Sequence, residues 1–250
     1  MGEDTVTATD INREYYEAAN AGRDDYWRLM AAPRRRVSVI LRLIGEIAGA
    51  RSLIDIGCGN GVLLSEIRAR HPHLQLAGVD LSETQIALNR KRDPSIEWIA
   101  ADAQKTIIPA SFDIAIASEV IEHLDDAETF LRNAAAMGRH IILTTQSGTI
   151  SATERRVGHV HHFERTEMLE LLARTGWKPR RVWNEGFPFH DLSKWYAGRN
   201  ADAMMQRFDS RPYGPAERFA CWMLRAAFRF NSRRRGAQLY AVAEHRSSRA

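Results

Sequence analysis

The sequence predicts an α/β fold, a doubly wound and mainly parallel sheet with helices on both faces. Two observations carry this. Apolar runs of strand length recur along the chain, and segments of helical period separate them, the pattern of strand–helix–strand units. The first such run, Leu53-Ile54-Asp55-Ile56, passes straight into Gly57-Cys58-Gly59-Asn60-Gly61. Three glycines at alternate positions let a backbone turn sharply and come close to a ligand, and the helix that follows presents free N–H groups there. The 250 residues, 44% hydrophobic, suffice for one solid core.

The elements follow in order. Residues 12–47 read as helices, made aromatic by Tyr15-Tyr16 and Tyr26-Trp27. Leu53–Ile56 reads as a buried parallel strand and Val62–Arg70 as a helix. Leu74–Asp80 is the second strand; Ser82 then caps a helix with Glu83 in its first turn. Ile96–Ala103 and Phe112–Ser118 are the third and fourth strands, and Ile141–Thr145 the fifth. Thr166–Thr175 is a helix closed by Gly176, Trp177–Trp183 the sixth strand, and Gly236–Ala243 the seventh.

Some fifty residues, 186–235, separate the last two strands, too long for a structureless connection in a compact domain. Phe219, Trp222, Met223, Ala226 and Phe230 recur there at helical spacing. Between Arg211 and Arg235 stand seven arginines and one glutamate, a local charge of +6 against +4 for the whole chain. A helix packed on the core or on a second copy, with solvated arginines, accounts for this pattern; so does peripheral contact of 215–235 with an anionic membrane. The arginines alone do not argue for nucleic acid, because no RNA-binding module accompanies them.

The glycine spacing is neither the dinucleotide fingerprint nor a P-loop. It resembles motif I of the class I S-adenosylmethionine (SAM) methyltransferases, an acid followed by G-x-G-x-G, and further motifs follow in that family's order: Asp80-Leu81, Asp102-Ala103, then Glu119-Val120-Ile121-Glu122-His123 after the fourth strand. The resemblance implies a Rossmann-like seven-stranded sheet whose seventh strand is antiparallel and lies between strands five and six. It also implies one methyltransferase domain over 1–250: an N-terminal helical cap (10–50), a SAM-binding core (51–185), a helical insert (186–235) and the last core strand (236–246). It assigns SAM to Asp55, Gly57, Cys58, Gly59, Gly61, Asp80, Leu81, Asp102, Ala103 and Glu119. Asp80 would hold the ribose, and Asp102 with Ala103 the adenine.

A methyl transfer to oxygen benefits from a base or a metal at the acceptor, whereas an amine needs neither. The candidates are Glu119, Glu122, His123, His159, His161, His162 and His190, with His123 and Glu119 expected to be catalytic. If Glu119, Glu122 and His123 share a helical face, they and His159 form a donor set for a divalent cation such as Mg²⁺. That arrangement resembles ubiquinone-biosynthesis and small-RNA O-methyltransferases; in metal-free relatives the same segment shapes the loop below the sulfonium. His159 also fits a packing role. Arg34-Arg35-Arg36 reads as a solvated face, with pairing to the SAM carboxylate as the alternative. The expectation is O-methylation of a small-molecule, sugar or lipid-linked acceptor; N-methylation of a small molecule or peptide, an RNA methyltransferase, and a non-catalytic SAM-binding module, regulator or partner subunit are the alternatives, and a homodimer stays open. Two cysteines, no apolar stretch of about 18 residues and a polar start place it in the cytoplasm.

Overall fold

A computed structural model describes residues 24–208 and 212–245, with the side chains of 24 and 205–208 excepted. Tyr15-Tyr16 and the rest of the helical reading over 12–23 lie outside these residues, as does Arg211. Seven strands form one sheet in the order β3-β2-β1-β4-β5-β7-β6. They are β1 (Ser52–Ile56), β2 (Gln75–Asp80), β3 (Glu97–Ala100), β4 (Phe112–Ser118), β5 (Gly138–Gln146), β6 (Trp177–Glu185) and β7 (Gln238–His245). β1 through β5 pair in parallel, and β7 runs antiparallel between β5 and β6. This is the Rossmann-like sheet expected of the motifs.

The helices are α1 (Asp24–Leu29), α2 (Ala31–Glu46), α3 (Val62–Arg70), α4 (Glu83–Arg92), α5 (Ala127–Met137), α6 (Ala152–Arg156), α7 (Arg165–Arg174), α8 (Phe189–Arg199), α9 (Ala201–Phe208) and α10 (Pro215–Phe228). Strand side chains alternate between two apolar layers. Ile54, Ile56, Ala115 and Ala117 pack with α5 and α7, while Leu53, Ile114 and Ile116 pack with α2, α3 and α4. Ser82 caps α4 as expected, its hydroxyl accepting the Gln85 N–H.

Three expectations change. β5 starts at Gly138, earlier than the apolar run shows, because α5 ends at Met137 and the chain enters the ladder at once. A Cβ at Gly138 would lie 2.7 Å from that of Ala115, so the strands' close approach there requires glycine. β3 is shorter than Ile96–Ala103: it is an edge strand paired only to β2, and its last residues leave the ladder. On α10, the apolar stripe does not face the core. Phe219, Trp222, Met223 and Phe230 are exposed, while Glu217, Cys221 and Phe228 are buried on the other side. No helix among the described residues is long and apolar enough to cross a membrane.

Candidate functional site

The sheet order fixes where a ligand binds. The chain leaves β1 toward β2 and β3, then returns to the other side of β1 as β4, so the loops after β1 and β4 diverge and open a crevice at the carboxyl ends of the strands. Gly57 and Gly59 line it, and Gly61, outside its lining, starts α3 behind them; Gly57 and Gly61 have φ of 77° and 71°. A Cβ on Gly57 would lie 2.5 Å from a methyl of Val120, and one on Gly61 2.7 Å from the Trp98 ring. Glycine is therefore required at both positions by conformation and by space. The Gly57 and Cys58 N–H groups donate to the Val79 carbonyl at 2.8 and 3.0 Å, which ties the loop to β2.

Asp80 ends β2. Its Oδ2 accepts the Gly59 N–H at 2.8 Å and its Oδ1 the Ser82 N–H at 3.0 Å. Burial outweighs these bonds and raises its pKa. Asp55 lies below it, and burial, with Asp80 adding to it, pushes its pKa up to about 7. The Cys58 thiol is pushed up by burial and by the two aspartates, so it is no nucleophile. Leu81, Asp102 and Ala103 line the opposite wall of this cleft, whose volume is about 210 Å³. The Asp102 carboxylate accepts the Gln104 N–H at 3.0 Å and lies 3.3 Å from Lys105.

Glu119 sits at the tip of β4 with a φ of 58°, unusual for a residue with a side chain. The expected helical face does not form; the next residues make a short 3₁₀ turn, Ile121–His123. Glu119 therefore does not join Glu122 and His123 in one donor set. Its oxygens accept from Thr144 at 2.9 Å, Gln146 at 2.6 Å and Gln238 at 2.9 Å, and the Arg36 guanidinium stands 3.6 Å away. Burial works against its ionisation, but Arg36 and these donors prevail and hold its pKa at about 2. The arginine run is not a solvated face: Arg36 is buried, Arg34 pairs with Glu66 and Arg35 with Glu185, both at 2.6 Å.

A second cavity, of about 670 Å³, lies beside the cleft under α1, α6, α8 and α10. The two share Trp27, Arg36, Glu119 and His123. Its walls are largely apolar, with Trp195, Tyr196, Leu224 and Phe228 among them, and carry a Lys194–Glu154 pair at 2.9 Å. His159 also lines it. The Gly148 carbonyl can only accept, so His162 Nδ1 carries the proton in their 3.0 Å bond; His162 Nε2 then accepts from His159 Nδ1 at 2.9 Å. In its neutral form His159 keeps a free lone pair on Nε2. Burial lowers the pKa of His123 to about 4, and burial with the adjoining His123 lowers that of His159 to about 2, so both are neutral at neutral pH. His190 is buried in the wall of the same cavity, whereas His161 is exposed and pairs with Glu167 at 2.7 Å.

The expected metal donors come together in part. Ligand atoms of Glu122, His123 and His159 lie within 4.8 Å of one another, as do those of Glu154, His159 and His162. Glu119 stays with Arg36 and the glutamines. Glu122 accepts from Thr145 at 2.8 Å on one oxygen, and its Oε1 is buried with no hydrogen-bond partner among the described residues. Burial, with Glu119 nearby, pushes its pKa well up. Thr144, Gln146, Gln238, Lys194 and Glu154 were not expected at the site. Gln238 lies 119 positions from Glu119, and only the antiparallel β7 brings it there.

Comparison with known proteins agrees with this geometry. Residues 26–182 match the model of a methyltransferase domain family. A probable S-adenosylmethionine-dependent methyltransferase of Mycobacterium tuberculosis is 29% identical over 150 residues, covering 58% of this chain and 51% of that protein. A ubiquinone biosynthesis O-methyltransferase of Nitrobacter winogradskyi is 36% identical over 100 residues, covering 38% of this chain and 37% of that one. The chain spans about half or less of the length of such curated relatives. The crystal structure of the N-methyltransferase NodS from Bradyrhizobium japonicum, in complex with S-adenosylhomocysteine, superposes with a TM-score of 0.61 at 20% identity, over 95% of this chain and all of that one.

Proposed function

The chain belongs to the class I SAM-dependent methyltransferase family, and on that premise we propose that it methylates a hydroxyl of a small-molecule or lipid-linked acceptor held in the larger cavity. The observation that carries this reading is the junction of the two cavities, lined by Arg36, Glu119 and a neutral, buried His123. The cleft fits SAM: Gly57 in its lining has no room for a Cβ, and carboxylates stand at or just past the ends of β2, β3 and β4. Asp80 would accept from the ribose hydroxyls, Asp102 and the Ala103 N–H would face the adenine, and Glu119 and Arg36 would hold the ammonium and carboxylate of the methionine part. When bound, SAM supplies a methyl group on a sulfonium that departs as a neutral thioether. His123 would take the hydroxyl proton as the oxygen forms its bond to the methyl carbon and the thioether leaves. Trp27 and the helices α8 and α10 shield the junction and hold the acceptor in line.

Labelled SAM offered with a panel of hydroxylated acceptors tests this. His123→Ala should lower turnover about 10²–10⁴-fold, as for loss of a general base, and leave affinity for S-adenosylhomocysteine unchanged. Because burial lowers the His123 pKa, the acid limb of wild-type activity should fall below the ordinary histidine range, leaving the rate flat from about pH 6 to 8. Undiminished turnover by His123→Ala would instead support an amine acceptor, and no turnover on any panel member with SAM bound a non-catalytic module.

The partnerless Glu122 Oε1 favours a second reading, in which a divalent cation bound by Glu122, His123 and His159 lowers the acceptor pKa. Two neutral imidazoles and a carboxylate fit such an ion, Mg²⁺ or Zn²⁺, and Glu119 takes no part. Activity abolished by a chelator and restored by the ion would support it.

A further inference from the structure

The insert between β6 and β7 carries an exposed apolar surface, and the part of it on α10 lines neither cavity. Of the eleven exposed large hydrophobic side chains among the described residues, eight lie between Phe187 and Phe230. On α10, Phe219, Trp222 and Met223 are 62%, 61% and 51% exposed, and Phe230, just past its end, 78%. The Phe219 and Trp222 rings stack with centroids 5.9 Å apart. The helix is fixed by its other side: Leu224 and Phe228 line the larger cavity, and Cys221 Sγ lies 3.5 Å from the Met30 sulfur on the α1–α2 side. The exposed stripe is therefore not the face that docks α10 to the domain.

Charge flanks this stripe on one side. Arg218, Arg225 and Arg229 recur at i, i+7 and i+11, a row along one flank of the helix, and Arg233, Arg234 and Arg235 follow; all six are exposed. The neighbouring α8 adds Leu192, Trp195 and Tyr196, each more than half exposed and each at the rim of the cavity, with the Arg199 guanidinium 4.4 Å over the Trp195 ring. A row of aromatic and aliphatic side chains edged by arginines is complementary to one kind of surface, an apolar interior beneath an anionic face.

We propose that α10 and the segment after it, residues 215–235, seat the protein on an anionic lipid bilayer, with Phe219, Trp222, Met223 and Phe230 in the headgroup region and the arginines on the lipid phosphates. A second copy of this chain fits the surface less well, because a two-fold contact through the stripe would meet the arginines with the same arginine-edged patch and no complementary acidic one. A polyanion alone would engage the arginines and leave four large apolar side chains in water. The proposal does not depend on which acceptor is methylated.

Co-sedimentation of the full chain with vesicles tests it. The protein should pellet with vesicles of mixed phosphatidylglycerol and phosphatidylcholine at low salt, be released at high salt, and fail to pellet with phosphatidylcholine alone. Replacing Phe219, Trp222 and Phe230 together by serine should weaken anionic-vesicle binding by at least about tenfold. Affinity for S-adenosylhomocysteine should stay unchanged in that variant, which shows that the fold is intact. No binding to anionic vesicles at low salt would overturn the proposal, and so would undiminished binding by the triple variant. A solution dimer that the same three substitutions dissociate would also overturn it, in favour of contact between copies.

Discussion

At the scale of the residue, the site is set by which charges are buried and which of them have partners. Glu119 keeps its negative charge because Arg36, Gln146, Gln238 and Thr144 all converge on it. Asp55 has no such partners; its Oδ1 is buried without a hydrogen bond, and its pKa is pushed up to about 7. Between the ordinary carboxylate value and 7, the folded protein holds a proton that the unfolded chain has released. Stability then falls as pH rises through that interval and does not recover above it. Asp55→Asn should remove this slope. The melting curves of wild type and variant should converge near pH 4, and at pH 8 the variant should be the more stable by roughly 2–4 kcal/mol; parallel curves would show that Asp55 is not proton-linked to folding. The acids Asp55, Asp80, Asp102 and Glu119 are legible in the sequence because each stands at or close to the carboxyl end of an apolar run. The role of Arg36 is not: Arg34-Arg35-Arg36 reads as a solvated face, and the charge that faces the buried Arg36 is Glu119, far along the chain.

At the scale of the element, the strand–glycine loop–helix unit explains itself locally, and the segment after β4 does not. Gly57 should tolerate no side chain, since its φ of 77° strains any L-residue and the Val120 side chain occupies the Cβ position. Gly57→Ala should cost about 1–2 kcal/mol of stability from the backbone alone and displace Val120 into the cleft. Calorimetry should then show affinity for S-adenosylhomocysteine falling at least tenfold; unchanged affinity would mean that the loop does not contact the cofactor. Strands β1, β2 and β4 were legible within a residue or so because they are apolar runs bounded by turn residues. The 3₁₀ turn after β4 was not, because E-x-x-E-H fits helical spacing equally well and Glu119 leaves it through a positive φ that no residue type announces. On α10 the periodicity was legible, but which side faces the core was not. A stripe of Phe, Trp and Met reads as buried wherever burial is inferred from hydrophobicity, and the structure turns it outward.

At the scale of the whole molecule, the order β3-β2-β1-β4-β5-β7-β6 places the cofactor crevice at the carboxyl ends of the central strands, and the helices outside the sheet build a second cavity against it. The two cavities meet at Arg36, Glu119 and His123, residues from α2 and the turn after β4. The division of labour follows from the topology. On the proposed reading, the sheet fixes the methyl donor, and the helices α1, α8 and α10 that line the larger cavity hold the acceptor. The measurement that tests this most directly is the crystal structure of the protein with S-adenosylhomocysteine. The account predicts the ribose hydroxyls on Asp80, the adenine against Asp102 and Ala103, the amino-acid end between Glu119 and Arg36, and the sulfur turned toward His123 and the larger cavity. Density for the ligand inside the larger cavity, or a sulfur turned away from His123, would contradict it.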